Sequence, residues 1–121
     1  MEWKFTEDRP IWQQLSQQIA RQILIGVYPP GSKLPPVREL AAQAGVNPNT
    51  MQRALAELER TGLVYTQRTA GRFVTEDAAV VDSAKQELAH QQIGAFLHRM
   101  ERMGYDREQT AQLVRSWEED A

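Results

Sequence analysis

Only three residues, Gly45-Val46-Asn47, separate two segments that each carry helix start and stop chemistry. The upstream segment, from about Pro36 to Ala44, opens on a proline and stops at Gly45, a residue able to take the left-handed conformation that closes a helix. The downstream segment, Pro48 to Thr61, has Asn47 placed to cap its first turn, Pro48 where a missing N–H costs nothing, and Gly62 beyond its end. So short a link cannot carry the chain back alongside the helix it has just left. The two helices must cross sharply, which is the helix-turn-helix arrangement.

The flanking segments extend this nucleus. From about Pro10 to Ile25, Ile11, Leu15, Ile19 and Ile23 recur every four residues, while Gln14, Gln17, Gln18 and Arg21 fall on the other side. That spacing predicts an amphipathic helix whose glutamine-rich QQLSQQ stretch is its wet face, stopped by Gly26 and followed by the turn Tyr28-Pro29-Pro30-Gly31-Ser32. Leu63–Thr66 and Arg72–Thr75 are strand-like runs joined by Gln67-Arg68-Thr69-Ala70-Gly71, a β-hairpin. Helical patterning returns from about Val80 to Met103, and a last helix begins at Asp106, which forms a capping-box pattern with Gln109. The expected fold is mainly α with one small hairpin: a winged helix-turn-helix domain over residues 1–77 and a two-helix tail over 78–121.

On a helical wheel, Met51, Ala54, Leu55 and Leu58 share one side of the helix after the turn, and Asn49, Thr50, Gln52, Arg53, Ala56 and Arg60 share the other. A polar outer face is the default for any surface helix. This set is also what a major-groove reader needs: Asn and Gln pair bidentately with adenine, Arg with guanine, and Ala56 admits close backbone approach. Charge placement agrees. The whole chain has net charge −2, yet residues 33–75 hold six basic side chains against three acidic ones, and residues 78–121 hold five against eight. A basic head and an acidic tail hide behind the average, and a head this modestly charged needs two copies per site for firm binding.

The run PPGSKLPPVRELAAQAGVNPNTMQRALAELERTGLVYTQRTAGRFV, preceded by RPIWQQLSQQIARQILIGVY, resembles the DNA-binding domain of the GntR family of bacterial transcription regulators over roughly residues 9–75. The short two-helix tail and the NPNT start of the recognition helix resemble its YtrA-type branch. The resemblance implies that Arg38 occupies an arginine position used on DNA, that Thr50 is a recognition-helix threonine, and that Asn49, Gln52 and Arg53 lie beside it. Many family members carry basic residues at the positions of Pro48 and Gln52, so the base sequence they read does not transfer. Gly71 stands alone where a Gly-x-Gly wing tip is common, and Arg68 and Arg72 are expected on phosphates. The implied function is a homodimeric, cytoplasmic repressor on a near-palindromic operator. The competing reading is a winged helix that docks a protein; Arg38, Arg53 and Arg60, in place of apolar anchors, speak against it.

The tail carries a stripe of Ile93, Phe96, Leu97 and Met100, with Leu113, Val114 and Trp117 on the last helix. It can pack back on its own chain or against a second copy. A dimer is expected, because a long helix with one short partner cannot cover such a stripe alone. No cofactor or metal is expected: the chain has no Cys, and His90 and His98, near Glu87 and Glu101, are eight residues apart on a helix without an evident third ligand. Trp3, Phe5 and Trp12 are expected to seal a core or a subunit contact rather than to line a pocket. No phosphate-cradling glycine loop, nucleophile elbow or serine–histidine–aspartate set is present, so no enzyme is expected. No apolar run spans a bilayer and the acidic N-terminus does not resemble a secretory signal, so no membrane partner is expected. Double-stranded DNA and a second copy are the expected partners, with room left for a small-molecule effector that no motif identifies.

Overall fold

Pro10 holds an extended backbone (φ −56°, ψ 141°) immediately ahead of α1, Ile11–Leu24, in a computed structural model that describes residues 2–119. Helices α2 (Val37–Ala44) and α3 (Pro48–Arg60) follow, then strands β1 (Val64–Gln67) and β2 (Gly71–Val74), and helices α4 (Ala78–Arg102) and α5 (Arg107–Ser116). The strands pair antiparallel, from Val64 opposite Val74 to Gln67 opposite Gly71. The segment before α2 adds to the other edge of β2: Val74 N–H donates to Ser32 O and Leu34 N–H to Arg72 O, both at 2.9 Å. Three helices and a hairpin make a winged helix-turn-helix.

The core is what the periodicity predicts except at Ile11, which stands at the start of α1, outside the buried cluster, and is 36% exposed. Leu15, Ile19 and Ile23 of α1, Leu40 and Ala41 of α2, and Met51, Ala54, Leu55 and Leu58 of α3 are buried with Leu34, Leu63, Val64 and Val74. Each large aliphatic side chain so buried contributes about 1.5–3 kcal/mol of transfer free energy. Trp3 and Phe5 pack against this cluster, as do Val81 and Ala84 from the start of α4.

One part of the first helix departs from the expected wet face: Gln14 is only 3% exposed. Its Nε2 donates to the carbonyls of Thr6 and Arg9, both at 2.8 Å, and its Oε1 accepts the Thr6 N–H at 2.8 Å. One turn later, Gln18 Nε2 donates to Lys4 O at 2.6 Å and its Oε1 accepts the Lys4 N–H at 3.3 Å. The two glutamine amides thus satisfy backbone groups of an N-terminal segment laid along α1 while Trp3 and Phe5 enter the core; a buried amide without such partners would be costly.

The chain divides into two compact units, one up to Ala84 and one from Lys85 onward. In the second, Asp106 and Gln109 form the expected capping box at the start of α5. Phe96 and Met100 of α4 face Leu113, Val114 and Trp117 across an open groove of about 680 Å³. The groove is not closed from within: Leu113 is 44% exposed, Val114 57% and Trp117 70%, and Ile93, earlier on α4, is exposed as well. Among the described residues no helix is long and apolar enough to cross a membrane.

Candidate nucleic-acid interface

The turn between α2 and α3 is built from local chemistry. Gly45 sits at φ 69°, ψ 34°, a conformation glycine adopts without a Cβ penalty, and Val46 N–H returns to Ala41 O at 3.0 Å. Asn47 then takes an extended conformation, and its Oδ1 accepts the Asn49 N–H at 2.7 Å. This cap satisfies one of the free donors of the first turn and fixes where α3 starts, hence which side chains face out.

With Met51, Ala54, Leu55 and Leu58 buried beneath it, α3 exposes Asn49, Gln52, Arg53, Ala56 and Arg60, while Thr50 is half-buried. Arg38 is exposed on α2. The Arg53 side chain is not loose: its guanidinium carbon lies 4.3 Å from the ring centroid of Trp12 on α1, a cation–π contact.

The hairpin presents Arg68, exposed in its turn, and is stiffened by Tyr65 and Phe73, partners across the strands whose rings stack at a centroid distance of 5.8 Å. Gly71 has φ 112°, and a Cβ there would meet Lys33 Cε at 2.9 Å. The absent side chain therefore lets the end of the Lys33 side chain, a basic residue the sequence pattern did not single out, lie beside the turn end of the wing. Arg72 has a different setting. Its Nε donates to Glu59 Oε1 at 2.7 Å and its side chain is only 20% exposed, while Thr66 Oγ1 donates to the same carboxylate oxygen. Arg72 thus ties the wing to the end of α3. Arg60 is likewise paired, with Glu57. Among the described residues, Lys33, Arg38, Arg53 and Arg68 take part in no ion pair, so within residues 33–75 these four are the basic side chains left unpaired.

The Glu59 pairing sets a pH dependence. Partial burial opposes the charge of Glu59, but hydrogen bonds from Thr66 and Arg72 and the Arg72 charge outweigh it, and the carboxyl titrates below its ordinary 4.5. At Glu57 the Arg60 hydrogen bond dominates, with the same direction. A carboxyl whose folded pKa is depressed contributes stability that is present above the unfolded value and lost as pH falls through the folded one. Urea unfolding should therefore show stability insensitive to these groups from neutrality to about pH 5.5 and declining below the ordinary value of 4.5. Glu59→Gln should flatten that acid decline; an unchanged profile would show that the pair does not stabilise the wing.

Comparison with known proteins agrees with this geometry. Residues 12–74 match the family described as bacterial regulatory proteins, gntR family. Over 119 residues the chain is 37% identical to YhcF of Bacillus subtilis, an uncharacterized HTH-type transcriptional regulator, and the match covers 98% of each protein. It is 46% identical over 69 residues to the HTH-type transcriptional repressor YtrA of the same organism, covering 57% of this chain and 53% of that one. A solved GntR family transcriptional regulator from Listeria monocytogenes has the same fold at TM-score 0.80 and 38% identity, covering 94% of this chain and 100% of the other.

Proposed function

Since the chain belongs to the gntR family of bacterial regulatory proteins, we propose that it is a sequence-specific DNA-binding transcription regulator that works in the cytoplasm as a homodimeric repressor. The observation that carries this reading is the outward face of α3: Asn49, Gln52, Arg53 and Ala56 exposed on a helix whose start is pinned by a capped three-residue turn, with Arg38 exposed on the preceding helix. Amide, guanidinium and small side chains of this kind suit base edges in a major groove. Asn49, Thr50, Gln52 and Arg53 are assigned to the groove and Arg38 to register. Arg68, beside Gly71 in the wing, is assigned to flanking phosphate. Arg72 is assigned to phosphate through the guanidinium edge that Glu59 leaves available. Residues 1–77 form the reading head in this account, and residues 78–121 join two heads.

The dimer assignment is supported by the tail itself. Ile93, Phe96, Leu97, Met100, Leu113 and Trp117 give each copy an apolar surface that an identical surface covers by two-fold pairing. Two heads on one dimer then read half-sites about one duplex turn apart. A dimer seated on a promoter represses by occupying it, the role stated in the name of the YtrA relative.

Fluorescence anisotropy on the duplex upstream of the protein's own gene tests the residue roles. Arg53→Ala should weaken specific binding by about 1–3 kcal/mol and relax preference at one base position. Arg68→Ala should weaken all duplexes alike and lower the salt slope by about 1. Unchanged affinity and slope in both variants would remove this mechanism.

A further inference from the structure

Arg53 and Trp12 come from different helices, α3 and α1, and the Arg53 guanidinium carbon lies over the Trp12 ring, 4.3 Å from its centroid. Trp12 is half-buried and lies one residue into α1, in the helix whose Leu15 and Ile19 are anchored in the core, so the ring is a fixed platform. Arg53 is exposed and takes part in no ion pair among the described residues. Among the described residues, none accepts a hydrogen bond from its guanidinium. Stacking consumes only the face of a guanidinium; its N–H donors radiate in the plane and remain available for a bidentate contact. A free arginine must lose considerable rotamer freedom before it can make such a contact, whereas one already stacked has lost much of it in the unbound protein.

We propose that Trp12 is a positioning residue for DNA readout: it holds the Arg53 guanidinium in a plane from which its edge reaches O6 and N7 of a guanine, and so raises base discrimination without touching DNA itself. This inference rests on the DNA-reading assignment of α3. It makes the first helix part of the specificity apparatus, since the chemistry at position 12 decides whether the arginine is ordered. Phenylalanine there keeps a π face, and leucine keeps apolar bulk without one.

The test is a double-mutant cycle on the tightest duplex recovered by selection from a random library, with a scrambled duplex of equal length beside it. Trp12→Leu should weaken binding to the selected duplex about two- to fivefold and leave the scrambled one within about twofold, as an exposed cation–π contact requires. Trp12→Phe should restore most of the loss. In an Arg53→Ala background, Trp12→Leu should add nothing. Equal losses on both duplexes, or a loss that persists in the Arg53→Ala background, would overturn the proposal by showing that Trp12 acts through the fold. If Arg53→Ala itself binds like the parent, the arginine's role falls and the proposal with it; if selection yields no preferred duplex, it is the regulator reading that fails. Thermal unfolding of each variant accompanies the cycle, and Trp12→Met replaces the leucine variant if that one does not fold.

Discussion

Truncating Leu55 to alanine is expected to lower the unfolding free energy by about 2–5 kcal/mol, the cost of removing a buried leucine and leaving a cavity. Leu55 is fully buried at the back of α3, among Leu15, Ile19, Leu40 and Met51. A domain of this size has only about 5–15 kcal/mol of stability in total, so the loss is a large share of it. The same truncation at exposed Gln52 has no equivalent cost, because that side chain lies outside the core. Urea unfolding monitored by helical circular dichroism gives the number directly; a change below about 1 kcal/mol would mean that α3 is not seated as described. The position matters for function as well. The buried side of α3 fixes the rotation of the helix about its axis, and that rotation decides which of Asn49, Gln52 and Arg53 reach a base.

Breaking the tail contact should have the largest effect on DNA binding. Ile93 and Trp117 are 57% and 70% exposed, so Ile93→Asp combined with Trp117→Asp leaves the interior of each copy intact while placing two carboxylates in the proposed interface. Light scattering at micromolar concentration should change from dimer to monomer, and operator affinity should fall by about 10²-fold or more, because the second head no longer binds at high effective concentration. Unfolding of the head within the full-length variant should be unaffected. A parent protein that scatters as a monomer would contradict the assignment of the tail, and a charged variant that remains dimeric would place the interface elsewhere.

How far the sequence discloses these features depends on the distance over which each is encoded. The turn at Gly45–Asn47, the cap at Asn47 and the division of α3 into buried Met51, Ala54, Leu55 and Leu58 and exposed Asn49, Gln52 and Arg53 are local, because helical periodicity and capping act within one or two turns. The capping box at Asp106 and Gln109 is legible for the same reason. Gln14 and Gln18 were not legible as clamps. On a wheel they are indistinguishable from solvated glutamines, and only the path of the segment containing Lys4 and Thr6 shows what their amides bind.

The same limit applies to three contacts at the candidate site. Arg72 meets Glu59 because the hairpin register brings Thr66 and Arg72 opposite each other near the end of α3. Lys33 reaches the wing because Gly71 has no side chain to exclude it. Trp12 meets Arg53 because α1 packs across α3. Each needs the tertiary arrangement first. For the tail, periodicity identifies the apolar stripe of Ile93, Phe96, Leu97 and Met100, and the shortness of the last helix favours a second copy as its cover, but the pattern does not say which residues of that copy meet it.

The central claim is that this head distinguishes one DNA sequence from others through α3. Its most direct test is the anisotropy of the full chain on the duplex upstream of its own gene and on a scrambled duplex of the same composition, across a salt series. The account predicts that the upstream duplex binds at least about 10³-fold more tightly near physiological salt, and that scrambled binding, which starts weaker because it rests on phosphate contacts alone, drops out of the measurable range at lower salt. Equal affinity for the two duplexes at every salt concentration would contradict it.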